Sequence, residues 1–155
     1  YRADSTVDDA SDLFISRLTA TATAWIATRV NPELLVGADV DNFSFAPNSQ
    51  RVVYRADQNV VGQEELFVVD LSGATPGPAQ QVNATMITGG DVDAGAASLS
   101  WSRDSARIYF EADMMVDNNF EAWVSDVSGA TPGPPEVVNT SLPANGDVSS
   151  LVVQP

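Results

Sequence analysis

Cysteine, histidine and lysine are all missing from this 155-residue chain. Without cysteine there is no disulfide, thiolate metal ligand or cysteine nucleophile. Without histidine there is no imidazole ligand and no His-based catalytic triad. A cysteine-free chain suits either redox compartment, so this absence carries no location. Long apolar runs are missing too: none approaches the ~18 residues of a membrane helix, so membrane insertion is not expected. Helical periodicity is just as scarce. No segment puts apolar residues at i, i+3, i+4 and i+7 over three turns, and one short helical turn at Pro32-Glu33-Leu34-Leu35 is the most the pattern allows. A Gly-x-Ser-x-Gly nucleophile elbow does not occur.

Positive charge is sparse. Seven arginines face 21 acidic residues, for a formal net charge of −14. Such a field repels phosphate backbones and anionic membrane surfaces, which argues against nucleic acid and lipid as partners. Cations and basic protein patches fit it better.

What the chain has is a repeat. Tyr1-Arg2-Ala3-Asp4 matches Tyr54-Arg55-Ala56-Asp57 and Phe110-Glu111-Ala112-Asp113. Leu13-Phe14-Ile15-Ser16 matches Leu66-Phe67-Val68-Val69 and Ala122-Trp123-Val124-Ser125. Val30-Asn31 returns as Val82-Asn83 and Val138-Asn139, and Gly37-Ala38-Asp39-Val40 as Gly89-Gly90-Asp91-Val92 and Asn145-Gly146-Asp147-Val148. Phe43-Ser44-Phe45-Ala46-Pro47 returns as Leu99 to Arg103 and as Leu151 to Pro155. The period is 52 to 56 residues (Val30 to Val82, Val82 to Val138), dividing the chain at about 1–47, 48–103 and 104–155. Chance does not hold five blocks in register three times.

Each repeat offers four short runs of β-branched and aromatic residues bounded by Gly, Pro, Asn and Asp, which is the pattern of strands. In the middle copy we expect strand a at Asn42–Phe45, b at Arg51–Arg55, c at Glu65–Leu71 and d at Ala79–Val82. A radially repeated four-stranded unit of this length is a propeller blade. The expected fold is therefore an all-β propeller segment of about three four-stranded antiparallel blades. Phe45, Trp101 and Val153 are expected to pack between blades. Strand c is apolar at successive positions, as in a sheet covered on both faces.

Three blades do not close a ring, since propellers have about four to eight. The chain opens at Tyr1 without methionine and inside strand b, which reads as a mature or excised piece. It is expected to be part of a longer chain with a ring of six to eight blades, or to be completed by another copy, six blades from two such units being the simplest closure. The first repeat departs from its siblings where they carry Ser-Gly-Ala-Thr-Pro-Gly-Pro: it reads Thr19 to Ala24, then Trp25-Ile26. This is either a lengthened strand or an interface centred on Trp25 and Ile26.

Phe43 to Ser49, then Arg51-Val52-Val53-Tyr54 and Glu65 to Asp70, resemble the TolB-type (WD-like) β-propeller repeat. That family has an aromatic-Ser-Pro-Asp-Gly turn, a strand ending in Tyr and a Leu-Tyr-Val-Val-Asp-like strand. Asn48-Ser49 and Asp104-Ser105 replace its Asp-Gly, and Arg103 its proline. The resemblance implies a periplasmic or extracellular bacterial setting and a protein-binding or scaffolding role.

The strongest signal outside the expected core is acid at recurring loop positions. Calcium takes about six to eight hard oxygens, and Asp8, Asp9 and Asp12, with Asp91 and Asp93, are the candidate ligands. No Asp-x-Asp-x-Asp-Gly loop with a distal Glu accompanies them. The competing reading is that these acids cap turns and accept backbone N–H groups, most clearly Asp4, Asp57 and Asp113, which end strand b in every copy. Acids copied in every repeat also argue against one unique catalytic pair. Asn-x-Ser/Thr at Asn42, Asn83 and Asn139 reads as turn sequence, and Trp101 and Trp123 as core.

The sequence thus points to a non-enzymatic binding or scaffold module that meets a protein partner, or further copies of itself, through an acidic loop face. No cofactor is required, and Ca2+ is the ion its oxygens suit. The alternative is a structural surface protein whose copies join through blade edges into a ring or filament. A hydrolase or peptidase-associated propeller comes last.

Overall fold

In the computed structural model, residues 1–4, 10–95, 98–143 and 146–153 are described. Asp8 and Asp9 of the candidate calcium set, Asn145 of the fourth repeated block and Gln154-Pro155 of the fifth lie outside them.

Among the described residues eleven strands fall into three antiparallel sheets, each a meander in chain order. Sheet I holds β1 (Arg2–Asp4), β2 (Ser11–Leu18) and β3 (Trp25–Arg29). Sheet II holds β4 (Val40–Phe45), β5 (Arg51–Ala56), β6 (Glu65–Asp70) and β7 (Gln80–Gln81). Sheet III holds β8 (Leu99–Trp101), β9 (Arg107–Ala112), β10 (Glu121–Asp126) and β11 (Glu136–Val137). None of the sheets closes on itself, and no helix occurs among the described residues. The expected turn of helix at Pro32 to Leu35 is absent: Asn31 Nδ2 donates to the Pro32 carbonyl and Leu34 packs on the core, so this linker runs open from sheet I to sheet II.

The first three matched blocks occupy matched places, and the fifth forms β4 and β8 in two copies, whereas Leu151 to Val153 lie in no strand. Expected strands a to d of the middle repeat are β4 to β7, with ends shifted by one or two residues. The first two repeats each finish inside the next sheet. The first supplies β1, β2 and β3 to sheet I and then β4 to sheet II; the second supplies β5 to β7, then β8 to sheet III.

Sheet II is apolar on both faces, because side chains alternate across a strand and both sets are hydrophobic. Val52, Tyr54, Ala56, Phe67 and Val69 form one core with Leu13 and Val30 of sheet I. Val53, Leu66, Val68 and Val82 form another with Ile108, Phe110, Ala112 and Trp123 of sheet III. Tyr54 stacks on Phe67 at 5.4 Å between ring centres and is 0% exposed.

Phe45 departs from expectation. It is 46% exposed, whereas its repeat equivalent Trp101 is 9% exposed and its indole N–H donates to the Ser44 carbonyl on β4. Trp101 is covered by strand a of the preceding sheet. Among the described residues sheet I holds β1, β2 and β3, and no strand a stands beside Phe45.

The a–b turns carry left-handed residues where the TolB-type pattern has glycine: Ser49 at φ 58° and Ser105 at φ 61°. A side chain there costs roughly 1 kcal/mol, which glycine avoids. Ser49 is exposed, while Ser105 is buried and its hydroxyl accepts the Asn48 N–H across the sheet boundary at 3.1 Å. Ser49→Gly is expected to stabilise by about 0.5–1 kcal/mol in urea unfolding. Ser105→Gly loses the bond and is expected to gain nothing; equal gains would contradict this assignment.

Candidate binding face at the loop end of the sheets

Antiparallel register sets Val40 opposite Ala56, and Ala56 opposite Glu65. The linkers between sheets and the loops joining strands b and c therefore share one end of the stack. Backbone groups in such loops need partners, and the recurring acids provide them. The Asp39 carboxylate accepts the Ser11 N–H of sheet I at 2.7 Å, and its own N–H donates to the Asp57 carboxylate of sheet II at 2.7 Å. Asp57 also accepts from Gly62 N–H at 2.7 Å. One repeat on, Asp91 accepts from Glu64 N–H at 2.7 Å and donates its own N–H to Asp113, which accepts from Asn118 N–H at 2.7 Å. In the third copy Asp147 accepts from Phe120 N–H at 3.0 Å. A backbone N–H bonded to a carboxylate makes a stronger bond than one between neutral groups.

The repeated asparagines close the other side. Asn31, Asn83 and Asn139 accept the N–H of Leu13, Leu66 and Ala122 at 2.7, 2.8 and 2.8 Å. Each Nδ2 donates to the carbonyl of the next residue, Pro32, Ala84 or Thr140. The glycosylation-like triplets at Asn83 and Asn139 are therefore structural staples. The Val-Asn repetition marks these positions in the sequence, but nothing there reveals what the amide bonds.

Between sheets II and III lies a buried arginine. Arg55 donates to the Val92 carbonyl at 3.2 Å, pairs with Asp41 and faces Glu64 at 3.6 Å. Arg2 makes the same cross-sheet bond to Val40 at 2.6 Å. Glu111 takes this place in the third copy, and its buried Oε1 has no hydrogen-bond partner among the described residues. Burial, with the charge of Asp93 adding, pushes the Glu111 carboxyl up. Glu64 is pushed up to about 7: burial dominates, Arg55 opposes it, and Asp41, Asp57 and Asp91 reinforce it.

Of the candidate calcium ligands, Asp12, Asp91 and Asp93 are described, and each serves contacts of its own. Asp12 is buried at the start of β2, accepts from Asn31 Nδ2 at 2.7 Å and faces Arg29 at 3.7 Å. Asp91 serves the linker described above, and Asp93 accepts from Gly95 N–H at 2.9 Å. Among the described residues no three acids form a metal-holding group. Trp25 and Ile26 sit on β3, the outer edge of sheet I, with Trp25 70% exposed. The hairpin beneath them is lengthened, with eight residues in β2 and five in β3, and its turn carries Thr19, Thr21 and Thr23 linked through their hydroxyls.

Sequence reading missed the apolar tips of the loop end. Leu35 and Val36 in one linker, Val60 and Val61 in the loop after β5, and Met115 and Val116 in the loop after β9 are all exposed. A Cβ on Gly37 would lie 3.6 Å from Val61, so the first two tips adjoin. Hydrophobic residues placed against acids are the signal that was available. No family model matches the chain, and no curated protein matches it.

Asn83→Ala leaves the buried Leu66 N–H unpaired and is expected to cost about 1–3 kcal/mol, read by denaturant unfolding; a change below ~0.5 kcal/mol would refute the staple. For Glu64 the sign follows from its raised pKa. Folded and unfolded forms are both protonated well below 4.5, and the stability this confers drains away as pH rises through about 7. Glu64→Gln is therefore expected to match the parent Tm near pH 4 and to exceed it above pH 7, checked by calorimetry across that range.

Proposed function

We propose that this chain is a TolB-type β-propeller segment acting as a non-enzymatic binding module in the periplasm or outside a bacterial cell. Its loop end takes a basic, amphipathic stretch of a partner protein. The observation that carries this reading is the row of exposed apolar tips, Leu35, Val36, Val60, Val61, Met115 and Val116, at the end where the carboxylates gather. Apolar side chains of the partner would cover the tips, and its cations would lie among acids on a surface of net charge −14. The three sheets stacked through apolar faces, and the resemblance of the a–b turn and of strands b and c, support the propeller assignment. A cation beside Glu64 would draw its carboxyl back toward ionisation.

Isothermal titration with a synthetic Lys/Leu amphipathic helix tests this. Binding is expected with a Kd of roughly micromolar order, weakening with salt and releasing protons near pH 6.5. The Val61→Ser, Val116→Ser double variant is expected to lose at least ~10-fold in affinity, about 1.4 kcal/mol. No heat with the basic helix, or equal heat with an acidic counterpart, would overturn the reading.

A further inference from the structure

Strand b of each repeat runs up to the linker that follows its sheet, and in the first two repeats an arginine meets the linker there. Arg2 donates to the Val40 carbonyl at 2.6 Å and Arg55 to the Val92 carbonyl at 3.2 Å. Arg55 also pairs with Asp41, so its cation lies between a carboxylate and the linker carbonyl. In the third repeat the carboxylate and the linker return without the arginine. Val148 takes the place of Val92: its N–H donates to the Phe120 carbonyl at 2.8 Å, as the Val92 N–H does to the Glu64 carbonyl at 2.9 Å. Asp93 takes the place of Asp41, and Glu111 that of Arg55.

Asp93 and Glu111 stand opposite one another. Val92 bridges Ala112 in antiparallel register, and the Asp93 N–H donates to the Glu111 carbonyl at 2.9 Å, so both side chains leave the same face of sheet III. Like charges set directly opposite are destabilising. Glu111 is 3% exposed, and its buried Oε1 has no hydrogen-bond partner among the described residues. A buried carboxylate oxygen without a partner costs free energy, and a cation offsets that cost. Glutamate is also shorter than arginine. A hard cation sits about 2.3–2.6 Å from each oxygen ligand, and so supplies both the missing reach and the missing charge.

We propose that a divalent cation of the calcium class binds between Glu111 and Asp93, with the Val148 carbonyl as a third protein ligand, where the preceding repeat places the Arg55 guanidinium. Two carboxylates match the two charges of the ion, and water completes its roughly six to eight oxygens. With three protein ligands the site is weak, in the ~10⁻⁴–10⁻³ M range of extracellular calcium modules. The ion ties the linker at Val148 to sheet III as Arg55 ties the linker at Val92 to sheet II. A proton on Glu111 would relieve the repulsion without supplying that tie. The exchange of arginine for glutamate and the orphaned buried oxygen carry the assignment, which does not depend on the loop-end reading above.

Thermal unfolding with the metal alone tests it. At ~5 mM CaCl2, compared with NaCl of equal ionic strength, the parent Tm is expected to rise by about 3 °C. Glu111→Gln is expected to lose the rise. Glu33→Gln, which removes one exposed charge elsewhere, is expected to keep it. Glu111→Arg restores the residue of the first two repeats and is expected to raise Tm without calcium and to ignore the ion. Tb3+ luminescence reads the site without unfolding, excited through Trp123, whose indole N–H donates to the Ala112 carbonyl at 3.0 Å. The signal is expected in the parent, displaced by Ca2+, and absent in Glu111→Gln. No calcium-dependent rise in the parent, or a full rise or full luminescence surviving in Glu111→Gln, would overturn the proposal and leave the peptide-binding test untouched.

Discussion

A four-stranded sheet with hydrophobic residues on both faces has no stable existence by itself, and sheet II is such a sheet. Val52, Tyr54 and Val69 need a neighbour on one side, and Val53 and Val68 need one on the other. At roughly 25 cal/mol per Å2 of apolar surface removed from water, this burial is the main term holding the stack. Everything else follows from having to keep sheets face to face. Linkers must cross from one sheet to the next, and their backbone groups must bond as they cross.

The acids answer that second demand. A carboxylate at Asp39 or Asp91 ties the start of strand c in one sheet to the end of strand b in the next, and an asparagine at Asn31, Asn83 or Asn139 ties the end of strand d back to strand c. The negative charge of this chain is thus partly architectural. Placing so many carboxylates at one end has a cost, visible in Glu64 and Glu111, whose carboxyls burial and like charges hold toward the neutral form.

The repeat made the sheets legible from sequence, because runs such as Leu66 to Val69 bounded by Asp and Gly leave little alternative to strands. The structural role of Asp57 and Asp113 was legible for the same reason: an acid that ends strand b in every copy serves every copy alike. Phe45 was misread because burial of a repeated aromatic depends on what packs over it: Trp101 lies against β4, and Phe45 has no matching strand among the described residues. Pro32 to Leu35 looked helical only through local propensity, which the crossing of the linker overrides. The apolar tips at Val60-Val61 and Met115-Val116 went unseen because two adjacent apolar residues in a polar loop carry no periodicity.

Native-state hydrogen exchange tests the dependence of each sheet on its neighbours most directly. Mutual burial predicts that the β5 and β6 amides of sheet II, from Val53 through Val68, exchange only through global unfolding and are the slowest in the chain. The amides of β1 and β11, each on the edge of an outer sheet, should exchange by smaller openings. Sheet II amides exchanging as readily as those of β1 would show that the sheets stand independently, and would contradict the stacked arrangement as the source of stability.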